Sequence, residues 1–191
     1  MYEAEVTIEG ATKYQQSKEY VSGMPRKTKE THKDYEERTW RERAWVNKDG
    51  YMYMPGIAFK KALVSAAQYN GTQIPGQGKK TYTKKFSAGV YTNDNIVLPV
   101  KKQDIVGEWV FGSSNGKPGQ GGRVWKCFPT VENWGGTIQL VILDDIITPD
   151  VLLEHLTIAG QFIGVGMWRP ENGGEHGRFR VEDIRHNFEQ G

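Results

Sequence analysis

Two stretches carry the three-and-four spacing of a helix with one buried face, and a long run of strand-like segments separates them. The first follows Met54-Pro55-Gly56 and places Phe59, Ala62, Leu63, Ala66 and Ala67 on one side before Asn70-Gly71 stops it. The second opens at Thr148-Pro149, an N-cap followed by proline at the first helical position, and predicts burial of Leu152, Leu153, Leu156 and Ala159 before Gly160. A chain with so few helices among so many strands, in 191 residues, is too short for a large parallel sheet.

The strands show a different period. Ala4, Val6 and Ile8 alternate with Glu3, Glu5, Thr7 and Glu9, which predicts a half-buried strand over Tyr2 to Glu9. Thr39 to Val46 and Tyr51 to Met54, joined by Asn47-Lys48-Asp49-Gly50, read as a hairpin. Further strands are expected around Gly89 to Tyr91, Ile96 to Val100, Glu108 to Phe111, Arg123 to Phe128, Thr137 to Leu143 and Arg178 to Val181. Residues 11–38 hold almost no aliphatic side chain and read as a polar excursion that forms no core of its own. The element order predicts an α+β fold: one domain over residues 1–191, with a ferredoxin-like split β-α-β core, antiparallel hairpin additions and loop insertions at about 11–38, 72–88 and 112–122.

Several classes of function drop out. No apolar stretch approaches the roughly 18 to 20 residues that cross a bilayer, and the Tyr2-Glu3-Ala4-Glu5 start lacks the features of a signal peptide, so a cytoplasmic protein with no membrane partner is expected. Cys127 is the one cysteine, which excludes an internal disulfide and a multi-cysteine zinc site. Gly76-Gln77-Gly78-Lys79-Lys80-Thr81 lacks the first glycine of a P-loop and the hydroxyl residue directly after its lysine. His32, His155, His176 and His186 have no metal-ligand spacing, and Asp144-Asp145 reads as a turn before a helix, so neither cofactor nor metal is expected.

Charge is the strongest functional signal. The net charge of +2 conceals a middle segment, residues 51–126, with 11 basic and 3 acidic residues, followed by a last third with 4 basic and 10 acidic ones. Lys79, Lys80, Lys84 and Lys85 are interleaved with Tyr82 and Phe86, a mixture that suits single strands: ammonium groups follow phosphates while rings stack on bases. Arg123, Trp125 and Lys126 repeat the mixture beside a glycine-rich loop, and Trp168, Arg169, Arg178 and Arg180 lie in a second glycine-rich segment whose amides could approach a ligand closely.

Tyr53-Met54-Pro55-Gly56-Ile57-Ala58-Phe59-Lys60-Lys61-Ala62-Leu63-Val64 resembles the Pro-Gly start of the first helix in the RAMP superfamily, the RNA-recognition-motif-like proteins of CRISPR effector backbones. Lys60 matches that motif, while Ile57 and Ala58 stand where it has serines. The glycine-rich segment ending in Gly177-Arg178-Phe179-Arg180 resembles the superfamily's glycine-rich loop. Stretches such as Arg123-Val124-Trp125-Lys126-Cys127-Phe128-Pro129 also resemble an uncharacterised group of tailed-phage and prophage proteins. The second resemblance implies a phage-encoded protein of the host cytoplasm and brings no activity with it; the RAMP resemblance taken with the charge map predicts a non-enzymatic protein that binds single-stranded DNA or RNA without reading sequence, through the residues above with Lys60 and Lys61. The charge map adds head-to-tail self-assembly along the strand. Two alternatives stay open: a metal-independent endoribonuclease using His176 with Tyr35 or Tyr82, and a mimic of a CRISPR backbone subunit.

Overall fold

The computed structural model describes residues 1–18, 23–113 and 122–188. In chain order it comprises β1 (Tyr2–Gly10), β2 (Tyr14–Gln15), α1 (His32–Thr39), β3 (Tyr51–Met54), α2 (Gly56–Asn70), α3 (Thr83–Gly89), β4 (Val90–Tyr91), β5 (Ile96–Lys101), β6 (Val106–Ser113), β7 (Arg123–Val131), β8 (Gly135–Ile142), α4 (Pro149–Ile158) and β9 (Phe179–Phe188). The architecture is α+β with antiparallel sheets.

The alternation in β1 decides where the core sits. Tyr2, Ala4, Val6 and Ile8 are buried, and the strand runs down the middle of a four-stranded sheet of order β4-β8-β1-β9. All three pairings are antiparallel, so β1 and β4 run one way and β8 and β9 the other. α2 falls in the connection from β1 to β4 and α4 in that from β8 to β9, giving two interleaved β-α-β units. The buried sides of α2 and α4 join the β1 side chains in one core with Phe86, Leu140, Ile142 and Phe179. Two smaller sheets, β2-β7-β6 and β3-β5, complete the fold.

Both helices expected from periodicity form. In α2 the buried positions are Gly56, Phe59, Ala62, Leu63, Ala66 and Ala67, and Gly71 closes the helix in the left-handed conformation at φ +63°. In α4 the Thr148 hydroxyl accepts from the Val151 N–H, and Leu152 and Leu156 are buried. Leu153 is instead 41% exposed, because it falls on the outer side of a helix that touches the core along one stripe. α4 continues into a π-turn at Ala159–Ile163, where a side chain on Gly160 would collide with the Phe179 carbonyl 2.2 Å away.

Three expectations need correction. The polar excursion 11–38 contains β2 and α1, and Tyr14, Gln15, Gln16 and Glu36 in it are buried. Polar side chains are tolerated there because most of their buried polar atoms find partners: Glu36 takes the Arg43 guanidinium at 2.5 Å and the Cys127 N–H at 3.2 Å, anchoring α1 to β7. The first arm of the expected hairpin is a 3-10 turn at Trp40–Arg43, and Val46 alone bridges to Met52, while the tight turn closing at Gly50 does form. The insertion 72–88 includes most of α3, whose sequence has too few apolar residues to show a period. Of the insertion 112–122, residues 114–121 lie outside the described residues.

Candidate nucleic-acid interface

α3 organises two clefts. Its buried side is Phe86, with no exposed surface, whose ring lies 4.6 Å from that of His155 on α4. Tyr82, just before the helix, packs edge-on against the same imidazole at 5.5 Å. The two rings expected to stack on bases are therefore core residues, and the reason is local: positions 82 and 86 fall one turn apart on the side of α3 that faces α4. That leaves the lysines outside. Lys79, Lys80, Lys84 and Lys85 line an open cleft of ≈1050 Å³ with Ile74, Asp144 and Asp145. Lys85 pairs with Asp144 at 2.9 Å, and its hydrogen bond holds that carboxyl below the usual range. Lys79, Lys80 and Lys84 are exposed, and no ion pair engages them among the described residues. The Gly76-Gln77-Gly78 segment folds back on itself, with the Ile74 N–H donating to the Lys80 carbonyl, and so spreads the lysines around the rim.

On the opposite side of α3, Ser87 contributes to a second cleft of ≈530 Å³, which is lined by Lys60, Lys61 and Ser65 of α2 and by Gly164, Gly166 and Arg169. The two segments that resemble RAMP motifs thus meet across one cavity. The glycines serve chain packing: a side chain on Gly166 would lie 2.3 Å from the Gln15 carbonyl, and one on Gly177 1.8 Å from that of Val165. The arginines are mostly committed. Arg169 pairs with Glu171 at 2.8 Å, and although burial raises the Glu171 pKa, hydrogen bonds from Ser65 and Arg169 win and lower it. Arg178 pairs with Glu175 and donates to the Gln161 carbonyl. Trp168 is exposed and holds φ +55°, a conformation rare for a residue with a side chain. Arg180 lies apart from both clefts, opposite Glu9 in the β1–β9 register.

A third surface lies on the β6–β7 ribbon. Phe111 and Trp125 face each other across the strands, with ring centroids 5.2 Å apart, and both are largely open to solvent, as is Trp109 in part. The Arg123 guanidinium lies 4.9 Å above the Phe111 ring, and Lys126 is half-buried on the other face of β7. Sequence reasoning singled out Arg123, Trp125 and Lys126 but placed Trp109 and Phe111 only within an expected strand. The register Phe111↔Trp125 was the missing signal, because only pairing reveals which aromatics share a face.

The open face of the large sheet is of the opposite character. It carries Glu3, Glu5, Glu9 and Asp183 against Arg180 and Arg185, tied together by Gln139 to Glu5 at 2.6 Å and by Arg185 to Asp183 at 2.9 Å. Its polyanion-facing capacity is poor.

His176 stands elsewhere again, near Lys13 and Glu108, which pair at 2.7 Å. Burial and then the Lys13 charge lower its pKa against the pull of Glu108, Glu132 and Glu175. Tyr82 is enclosed by α4, and Tyr35 lies under the Arg38 guanidinium on α1, so the expected acid–base partners are not assembled around His176. Among the described residues no cluster of three or more metal-ligating side chains forms, and no helix is long and apolar enough to cross a membrane.

No family model and no curated protein matches the sequence. Among solved structures, the chain is similar to Cmr6 from Pyrococcus furiosus, with a TM-score of 0.47 and 12% identity over 93% of this chain and 97% of that one.

Proposed function

We propose that the protein binds single strands of nucleic acid without reading their sequence, and that the lysine cleft beside α3 is where the phosphates lie. The observation that carries this is the set of exposed, unpaired lysines Lys79, Lys80 and Lys84 around one open cleft, in a molecule whose large sheet turns an acidic face outward. Lysines facing solvent singly would be ordinary; three that converge without a carboxylate partner supply counterion release. Lys60 and Lys61 extend the basic surface past Ser87 into the second cleft.

The rest of the reading follows from topology and charge. The strand order β4-β8-β1-β9 with α2 and α4 as crossovers supports a ferredoxin-like core, and the RAMP-like motifs that line one cleft support a distant kinship with that superfamily. Head-to-tail contact between the acidic sheet face and the lysine cleft of another copy would let molecules line up along a strand. The protein is not an enzyme in this reading; RNA cleavage lost in His176→Ala would replace it with the endoribonuclease alternative.

Fluorescence anisotropy with a labelled oligonucleotide over a salt series tests the proposal. Replacing Lys79, Lys80 and Lys84 with Ala, leaving the structural Lys85 in place, should weaken binding to every sequence alike and reduce the slope of log K against log salt by about 2, at roughly 0.7 per phosphate contact. Unchanged affinity and slope would sink the cleft as the site.

A further inference from the structure

The lysine cleft explains attraction to phosphates but offers no open ring, since Tyr82 and Phe86 are buried. Duplex and single strand both carry phosphates, so the cleft alone gives no preference between them. Unpaired nucleotides differ in exposing base faces, and the β6–β7 ribbon presents open rings to receive them. On β6–β7, Phe111 is 44% and Trp125 49% exposed, and they sit as a cross-strand pair with Arg123 above one ring.

We infer that the Phe111–Trp125 pair on the β6–β7 ribbon is a base-stacking platform for unpaired nucleotides, and that this ribbon, not the cleft, separates single strands from duplex. The inference rests on the nucleic-acid reading and deepens it. Three features favour a nucleic acid over a protein as the occupant. Among the described residues, the charge beside the two rings on their face of the ribbon is Arg123, which is positive. A guanidinium already stacked on an aromatic ring presents its other face as a second flat cation, which suits a base or a phosphate. The two rings are inclined at 43° to each other, leaving the Trp125 indole accessible instead of sealed against Phe111.

The chemistry makes a distinct prediction for each part of the molecule. Rings release no counterions, so removing them lowers affinity at constant salt slope; lysines act the other way. The experiment compares three labelled ligands of equal phosphate number: oligothymidylate, the same backbone without bases, and a duplex of half the length. The unmodified protein should bind oligothymidylate on the order of 10-fold or more tighter than the abasic strand. Phe111→Ala with Trp125→Ala should bring oligothymidylate down to the abasic level and leave the salt slope as it was. An unchanged far-UV spectrum and melting midpoint would show that the variant is folded.

Equal binding of oligothymidylate and abasic strand by the unmodified protein overturns the inference without any variant. So does a double variant that retains full affinity, or one whose chief change is loss of self-association in sedimentation, which would make the ribbon a protein interface. Absence of binding to all three ligands at low salt would overturn the parent reading as well, whereas salt-dependent binding with no base preference overturns this inference alone.

Discussion

Glu36 is 1% exposed, and both of its oxygens are engaged: one meets the Arg43 guanidinium and the other the Cys127 N–H. Glu36→Gln preserves shape but strands Arg43 in a half-closed site, and breaking a buried pair in this way should cost about 3 kcal/mol in urea unfolding. The same carboxylate acts on Cys127. Burial first, and the Glu36 charge second, push that thiol up to about 11, so a disulfide reagent at pH 8 should modify it only as fast as the protein unfolds; rapid reaction of the folded protein would contradict the buried site. His176 behaves oppositely to a histidine with an acidic partner. Its folded-state pKa is below the ordinary 6.5, so the unfolded chain takes up the proton first, and the associated stability is complete above pH 6.5 and declines as pH falls toward the folded value. His176→Gln should therefore flatten the loss of stability between pH 7 and the acid side of 6, with the comparison to the unmodified protein isolating this group from the other histidines.

At the scale of elements, α3 joins an apolar anchor to a basic exterior, and the two halves should separate on mutation. Phe86→Ala empties a fully buried aromatic site and should cost about 3 to 5 kcal/mol, whereas Lys84→Ala should change stability by less than about 0.5 kcal/mol while weakening oligonucleotide binding. This division also explains what the sequence revealed. α2 and α4 were legible because four or more apolar residues repeat at helical spacing beside a recognisable cap, Gly71 after α2 and Thr148 before α4. α1 and α3 carry too few apolar residues for any period, and α1 is announced only by Thr31 and Asp34, which cap one another's backbone. The lysines that line the cleft were legible as a cluster, since local charge density needs no fold to be seen. Their aromatic neighbours were misassigned because Tyr82 and Phe86 belong to α4 and His155, some 70 residues further on, and nothing in the local pattern reports that contact.

For the whole molecule, two surfaces differ in charge: lysines gather around α3, and the open sheet carries Glu3, Glu5 and Glu9 of β1 with Asp183 of β9. Exchanging Glu3 and Glu9 for Gln removes two exposed charges from that sheet, and should alter stability by no more than about 0.5 kcal/mol and leave oligonucleotide affinity near its original value, because screening over about 8 Å at physiological salt isolates one face from the other. Loss of self-association in the same variant, seen by sedimentation, would identify the face that neighbouring copies use. The central position of β1 has a consequence in time. Its partners are β8, starting at Gly135, and β9, starting at Phe179, so β1 is synthesised well before either of the strands that cover its edges. Closing so long a span costs chain entropy before any pairing repays it. During that interval, Val6 and Ile8 stand on an unpaired edge, and a nascent chain stalled before Phe179 should be captured by chaperones or aggregate, while extension past Phe188 should let the sheet close in one cooperative step.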